Sequence, residues 1–262
     1  MKTIHIKAGL GNQMFQYVYG RSLELAGKKI VFDVSFFHGS RAKGDTPRVF
    51  TLDRFNIKTN ALFVEQTRHF LYTLYKKFLR LFGYTVEEYF QGDTYVKHID
   101  TYIRNEFTLR EPLSKEAQEI LTQIKSTASV SIHVRRGDYV SNKETHVYHG
   151  VCSLTYYKEA MKYVEQSVVV PKYFVFSDDS AWAKDNLDAP GAMFVSDVGL
   201  PDYEELILMS KCTHNIIANS SFSWWGAWLN GNREKIVIAP KQWFQDAKAN
   251  GHTIVSSSWI RI

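Results

Sequence analysis

From about residue 126 onward the chain alternates strand-like and helix-like runs, and this alternation constrains the fold more than any other feature. Apolar runs at 130–134, 173–176, 193–195, 215–218 and 236–239 read as strands. The stretches 153–166, 180–187, 201–211 and 222–230 between them read as helices, with Ser153 placed to cap one and Pro201 suited to the first turn of another. Alternation of this length builds a parallel sheet with helices on both faces. Such sheets bind ligands just beyond the carboxyl ends of their strands. The first of these strands carries Val130, Ile132 and Val134 on one face and runs directly into Arg135-Arg136-Gly137-Asp138-Tyr139. An arginine presents a planar fork of donors that matches a phosphate or carboxylate edge. The plain structural alternative for this loop is a salt bridge from Arg136 to Asp138.

The chain opens on a second unit of the same kind. Residues 3–7 alternate as a strand, 14–26 read as a helix closed by Gly27, and 29–34 read as the next strand. The loop between holds Gly9-Leu10-Gly11-Asn12-Gln13. With Asp33 ending the second strand, this invites a dinucleotide reading and hence an oxidoreductase. The fingerprint lacks its third glycine, because Met14 stands there. The alternative is that Gly9 and Gly11 let a ligand approach while Asn12 and Gln13 offer amides at a helix start.

The sequence between 35 and 60 is polar and irregular. A helix over 67–82 has Leu71, Leu74, Tyr75, Phe78, Leu79 and Phe82 on one face and Arg68, Lys76, Lys77 and Arg80 on the other. That pattern reads first as a core-facing stripe with a solvated basic face; the other use of a basic face is docking at an anionic membrane surface. Residues 114–125 read as a surface helix opened by Ser114. We place an N-terminal α/β half at 1–115 and a C-terminal half at 126–262.

Four loops thus lie beyond strand ends: 9–13, 135–139, 177–179 and 219–225. Together they hold two arginines, hydroxyls, amides, carboxylates and aromatic rings, a set that suits a nucleoside diphosphate. Taken alone, Asp178 reads as a helix cap, and Trp224, Trp225 and Trp228 read as core. The net charge of +5 is too small and too evenly spread for nucleic acid. Cys152 and Cys212 form no disulfide framework, which fits a reducing cytosol. No signal peptide is expected, since Met1-Lys2 leads straight into a strand, and no run is long enough to span a bilayer. There is no Walker loop, no Asp-x-Asp pair, no Gly-x-Ser-x-Gly elbow and no zinc spacing. A site that holds a diphosphate without metal must neutralise it with arginines and N–H dipoles.

His133-Val134-Arg135-Arg136-Gly137-Asp138-Tyr139 resembles the hallmark motif of α1,2- and α1,6-fucosyltransferases. The chain as a whole resembles the bacterial α1,2-fucosyltransferases of glycosyltransferase family 11. The resemblance runs through Gly9-Leu10-Gly11-Asn12-Gln13-Met14-Phe15-Gln16-Tyr17, Tyr89-Phe90-Gln91, Phe176-Ser177-Asp178-Asp179 and Ser220-Ser221-Phe222-Ser223-Trp224-Trp225-Gly226. It implies a GT-B-like α/β fold, two Rossmann-like halves with parallel sheets facing a central cleft. It implies transfer of L-fucose from GDP-β-L-fucose to the 2-hydroxyl of a terminal galactoside, with inversion and no metal cofactor. The first half would serve the acceptor and the second the GDP.

Carried over residue by residue, the resemblance has Arg135 stabilise the leaving GDP with Arg136 in support. His133 and Asp178 lie near the nucleoside. Ser220, Ser221 and Phe222 hold phosphate and nucleoside, and Asn12 reaches the diphosphate or the acceptor. Asp138 is the first candidate for the base that deprotonates the acceptor, with Glu144, His146 and His149 as rivals; Asp138 could instead only orient Arg135 or Arg136. The implied partners are GDP-fucose and a galactoside-containing glycan, of the kind found in O-antigen repeats, at a cytoplasmic enzyme that the 67–82 helix would bring to the inner membrane. A relative that binds GDP and carbohydrate without transferring anything is a third possibility, against which the intact motifs argue.

Overall fold

The computed structural model describes residues 2–38, 48–64, 89–141, 147–245 and 254–262, with Leu74 and Phe78 in addition. It divides into two compact units, Met1–Arg110 and Glu111–Ile262. Each carries a parallel sheet among helices, as the β/α alternation predicts.

In the first unit β1 (Lys2–His5) pairs with β2 (Ile30–Asp33), and β2 with β3 (Leu62–Val64). Between the first two strands runs α1 (Leu10–Leu25). Its glycine at position 20 lets the helix lie flat on the Phe32 ring. A Cβ built there would fall 2.4 Å from that ring. Phe32 is itself fully buried, stacked on Tyr17 at 5.4 Å and on Phe63 at 5.0 Å. Helix α2 (Asp100–Glu106) closes the unit. Its last residue, Glu106, is buried, accepts from the Tyr17 hydroxyl, and pairs with Arg21 Nε at 3.0 Å. A buried carboxylate needs such partners, because desolvation without them costs several kcal/mol. Of the expected helix 67–82, Leu74 and Phe78 are helical and exposed, so these two positions of the stripe do not face a core; the rest lies outside the described residues.

The second unit opens with α3 (Lys115–Lys125), capped by Ser114, whose Oγ accepts from the Ala117 N–H. Then follow β4 (Ser129–Val134), α4 (Gly137–Ser141), α5 (Leu154–Ser167), β5 (Lys172–Ser177), α6 (Ser180–Asn186), β6 (Met193–Phe194), α7 (Asp202–Lys211), β7 (His214–Ile216), α8 (Ser221–Leu229), β8 (Val237–Ala239) and β9 (Ile260–Arg261). Pro201 stands just before α7 as its cap residue rather than inside the first turn. The six strands are parallel in the order β6-β5-β4-β7-β8-β9. Counted from the unit's own first strand this is 3-2-1-4-5-6, the order of dinucleotide-binding sheets.

Strand periodicity sorts this core into two layers. Val130, Ile132, Val134, Tyr173 and Val175 pack with Tyr156, Tyr157, Ala160 and Val164 of α5. Phe174 and Phe176 point the other way, onto Ile120 and Ile124 of α3 and Leu208 and Met209 of α7. Helix α3 is therefore part of the second unit. Trp224, Trp225 and Trp228 of α8 are buried as expected, and Trp224 Nε1 donates to the Ile254 carbonyl at 2.8 Å. Among the described residues no helix is long and apolar enough to cross a membrane.

The Gly20–Phe32 contact gives a direct test of the first unit's packing. Gly20→Ala should destabilise it by about 1–3 kcal/mol, since the trapped ring cannot retreat. Native-state hydrogen exchange at the Val31 and Phe32 amides should accelerate roughly 5- to 150-fold. Gly9→Ala, whose Cβ would meet only the Arg48 side chain at 3.6 Å, should leave these amides nearly unchanged.

Candidate active site

The strand order of the second unit reverses between β4 and β7, and a crevice at such a reversal is where α/β sheets bind ligands. Two of the four expected loops leave these two strands there. The first follows β4. Arg135 Nη1 pairs with Asp178 Oδ2 at 2.9 Å, and the backbone N–H of Arg136 donates to Asp178 Oδ1 at 2.8 Å. One carboxylate from the end of β5 thus holds both a side chain and the main chain of the arginine loop. Gly137 is required by this arrangement, because a Cβ there would fall 2.5 Å from Asp178 Oδ2. The Arg136 guanidinium takes the next acid, pairing through Nε with Asp179 Oδ2 at 3.1 Å and lying over the Trp182 ring at 3.8 Å.

The structure reassigns roles between these neighbouring acids. Asp179, not Asp178, is the helix cap: its Oδ1 accepts from the Trp182 N–H at 3.2 Å at the start of α6. The Arg136 guanidinium is thus paired with Asp179; the alternative Arg136–Asp138 bridge falls on a side chain outside the described residues. The backbone of Asp138 lies in α4, while its side chain falls outside what is described, as do Glu144 and His146. His149 is packed among rings, stacked on Tyr139 at 4.7 Å and beside Tyr148 and Phe244. Tyr139 also lies under the Arg135 guanidinium, 5.3 Å from its ring centre.

The second loop follows β7. Asn219 is buried and ties three segments together, its Nδ2 donating to the carbonyls of His149, Gly150 and Trp243 and its own carbonyl accepting from the Tyr139 hydroxyl. Ser220 caps α8, its Oγ accepting from the Phe222 N–H at 3.3 Å, and Ser221 is the helix's first residue. Phe222 faces His133 across 5.5 Å between ring centres. His133 is the next-to-last residue of β4, and strand alternation turns it away from the Val130, Ile132 and Val134 layer. Burial first, and then the Arg135 charge, push its imidazole down to about 3, so it is neutral at physiological pH. Its Nδ1 is buried and has no hydrogen-bond partner among the described residues. A buried polar atom without a protein partner is uncommon and calls for an explanation, and a bound ligand or water is one that fits this position. The structure thus brings together His133, Arg135, Arg136, Asp178, Ser220, Ser221 and Phe222 around the ends of β4, β5 and β7. Among the described residues no group of His, Cys, Asp or Glu is arranged to hold a metal ion.

Glu205 is a member of this neighbourhood that the sequence reading passed over. It sits in the first turn of α7 beside Glu204, and a pair of acids at a helix start reads as a solvated end favoured by the dipole. In the structure Glu204 is buried on Ser114, accepting from its N–H and hydroxyl at 2.6 and 2.7 Å. The Glu205 carboxyl is pushed up to about 7, chiefly by burial and further by the charges of Asp202 and Asp178, against a Ser196 hydrogen bond that lowers it. A carboxyl with this value exchanges its proton near neutrality, so it can serve as donor or acceptor.

In the first unit Asn12 lies in the opening turn of α1, and its Oδ1 accepts from Gln91 Nε2 at 2.7 Å. Gln13 turns inward and donates to the Ala8 and Val49 carbonyls, bracing the loop. Lys7 lies over the Tyr89 ring at 4.9 Å, and burial lowers its ammonium pKa. Asp33, the acid of the dinucleotide reading, is buried and engaged by His5 Nδ1 at 2.9 Å and the Ser35 N–H at 3.0 Å. Its near neighbours thus come from its own sheet and the turn that follows it.

Glu205 makes the stability of the chain depend on pH. Its folded pKa of about 7 exceeds the reference value of 4.5. Between those values the folded state holds more protons than the unfolded one, so this group's contribution falls as pH rises across that window. Urea unfolding at about pH 5 and about pH 7.5 should therefore show a smaller loss of stability in Glu205→Gln than in the parent.

The family model described as glycosyl transferase family 11 matches residues 1–262. The chain is 31% identical, over an alignment 301 positions long, to the O-antigen biosynthesis glycosyltransferase WbnK of Escherichia coli, covering 98% of this chain and 99% of that one. It is equally 31% identical to an alpha-1,2-colitosyltransferase of E. coli, over 98% of this chain and 97% of the other. A galactoside alpha-(1,2)-fucosyltransferase 1 from Saimiri boliviensis boliviensis is 31% identical over 58% of this chain and 48% of its own. With a whole-chain model match and near full-length relatives, this chain belongs to glycosyltransferase family 11 and is a glycosyltransferase.

Proposed function

We propose that this glycosyltransferase moves L-fucose from GDP-β-L-fucose to the 2-hydroxyl of a terminal galactoside, with inversion and without a metal. The observation that carries the reading is the Arg135–Asp178–Arg136 arrangement at the strand-order reversal, beside the start of α8 and a buried His133 Nδ1 that has no hydrogen-bond partner among the described residues. A guanidinium that is already oriented by a carboxylate loses little freedom when it takes a phosphate, and its charge stabilises the diphosphate as it leaves. The sugar and the linkage are supported by the relatives' names, which specify alpha-1,2 transfer of fucose in one case and colitose in another. The name of the WbnK relative favours an O-antigen glycan as the acceptor.

In this reading the acceptor oxygen forms its bond to the anomeric carbon as the bond to the diphosphate oxygen breaks. The electron pair leaves with GDP, and the acceptor's proton passes to a base. Arg135 neutralises the departing charge. Arg136, held by Asp179 and Trp182, keeps the loop in register. Neutral His133, with Asp178 fixing the loop below it, meets the nucleoside. Ser220, Ser221 and Phe222 hold phosphate and nucleoside through hydroxyl, backbone and ring. Asn12 supplies an amide to the diphosphate or the acceptor, and Asp138 is the base we favour. In this reading the enzyme is cytoplasmic, free or peripheral at the inner membrane, and acts on glycans.

The test is release of GDP from GDP-fucose, with and without EDTA, against lactose and related β-galactosides. Acceptor-dependent release that survives EDTA, with a product whose new bond lies at the galactose 2-hydroxyl, is expected. Arg135→Ala should lower the rate by roughly 10²- to 10³-fold, the scale of losing one preset charge-stabilising group. An Arg135→Ala enzyme as fast as the parent, or release abolished by EDTA, would sink the reading. Faster turnover of GDP-colitose than of GDP-fucose would reassign the donor while leaving the phosphate site in place.

A further inference from the structure

Two backbone segments of the first unit adopt the left-handed region that side chains disfavour. Ala8, just before α1, has φ 66°, and Phe90 has φ 51°, followed by Gly92 at 109°. Non-glycine residues held in this way cost on the order of 1 kcal/mol or more and persist only where the surroundings enforce them. Phe90 is enforced by rings: it stacks on Tyr19 at 3.7 Å between centres and meets the edge of Tyr95 at 6.0 Å. The turn so fixed carries Gln91 between them, with Nε2 2.7 Å from Asn12 Oδ1. The Ala8 side is fixed by Gln13, which donates to the Ala8 carbonyl, and by Gln16, which accepts from the Lys7 N–H.

An asparagine amide has one acceptor end and one donor end, and a neighbour that donates to the oxygen turns the NH2 group the other way. We propose that Gln91 is a positioning residue that locks the Asn12 amide with its Nδ2 donors turned toward the substrate, selecting an oxygen acceptor there, a phosphate oxygen or a sugar hydroxyl. This rests on the role given to Asn12 above. The strained turn at 90–92 exists to hold Gln91 in place, and the Phe90–Tyr19 stack is what sustains it.

Gln91→Glu separates orientation from packing, because it keeps the shape but replaces the donor with an acceptor. The ionised carboxylate introduced there would draw the Asn12 NH2 toward itself and turn Oδ1 to the substrate. Steady-state kinetics with GDP-fucose and a galactoside should show Gln91→Glu losing about tenfold or more in kcat/KM at about pH 8, with the melting temperature unchanged. The deficit relative to the parent should shrink toward about pH 5, as protonation of the new carboxyl restores a donor. In an Asn12→Ala background Gln91→Glu should cause no further loss. Gln91→Glu as active as the parent while Asn12→Ala is impaired, or a deficit that ignores pH, would overturn the positioning role and leave the proposed function standing. Full activity of Asn12→Ala would remove Asn12 from the substrate, and Gln91 with it.

Discussion

The Asp178 carboxylate is the interaction on which the candidate site depends. One oxygen holds the Arg135 guanidinium and the other holds the Arg136 backbone N–H, so a single side chain from the end of β5 fixes a loop that leaves β4. Gly137 is confined to glycine by that same carboxylate. Asp179 then takes the Arg136 guanidinium and caps α6, so two consecutive acids anchor two consecutive arginines. Ion pairs with this exposure contribute little to stability. Their value is geometric: the cation is in place before any anion arrives, which is the condition for electrostatic stabilisation without reorganisation.

The sheet supplies the platform. Hydrogen-bonded register between β4 and β5 sets Val134 opposite Ser177, which brings the residues after each strand, Arg135 and Asp178, to the same edge. Alternation along β4 places the apolar side chains against α5 and leaves His133 for the face that carries α8. Tyr157 reinforces the strand end by donating to the His133 carbonyl at 3.1 Å. The consequence is a neutral imidazole, an arginine and a helix start within one neighbourhood, all presented by buried elements. The first unit uses a different device, a strained turn braced by stacked rings, to hold one amide against another.

Local chemistry made much of this legible in the sequence. Ser114 and Ser153 cap their helices as written, because the capping bond spans only three residues. The strand leading to Arg135 and the burial of the three tryptophans follow from apolar periodicity. Adjacent acids were not separable: Asp178 and Asp179 are equally placed to cap α6, and the choice is made by arginines more than forty positions away. Glu205 was missed for a related reason: Asp202 is its neighbour on α7, but its burial and the Asp178 charge arise only when distant segments pack together. Helix α2 has too few apolar positions to announce itself, and its buried Glu106 finds Tyr17 and Arg21 from α1 only in the folded unit. The pair of glycines and Asp33 suggested a dinucleotide site because the motif is short; the His5 partner of Asp33 lies on the neighbouring strand.

The central claim is that Arg135 and its loop recognise a diphosphate. The most direct measurement is calorimetric titration of GDP and of guanosine into the parent and into Arg135→Ala. The account predicts that the parent binds GDP far more tightly than guanosine and that most of this preference disappears in the variant, while guanosine itself binds the two proteins alike. A GDP-to-guanosine ratio that is the same in both proteins would contradict it and move the phosphate site elsewhere.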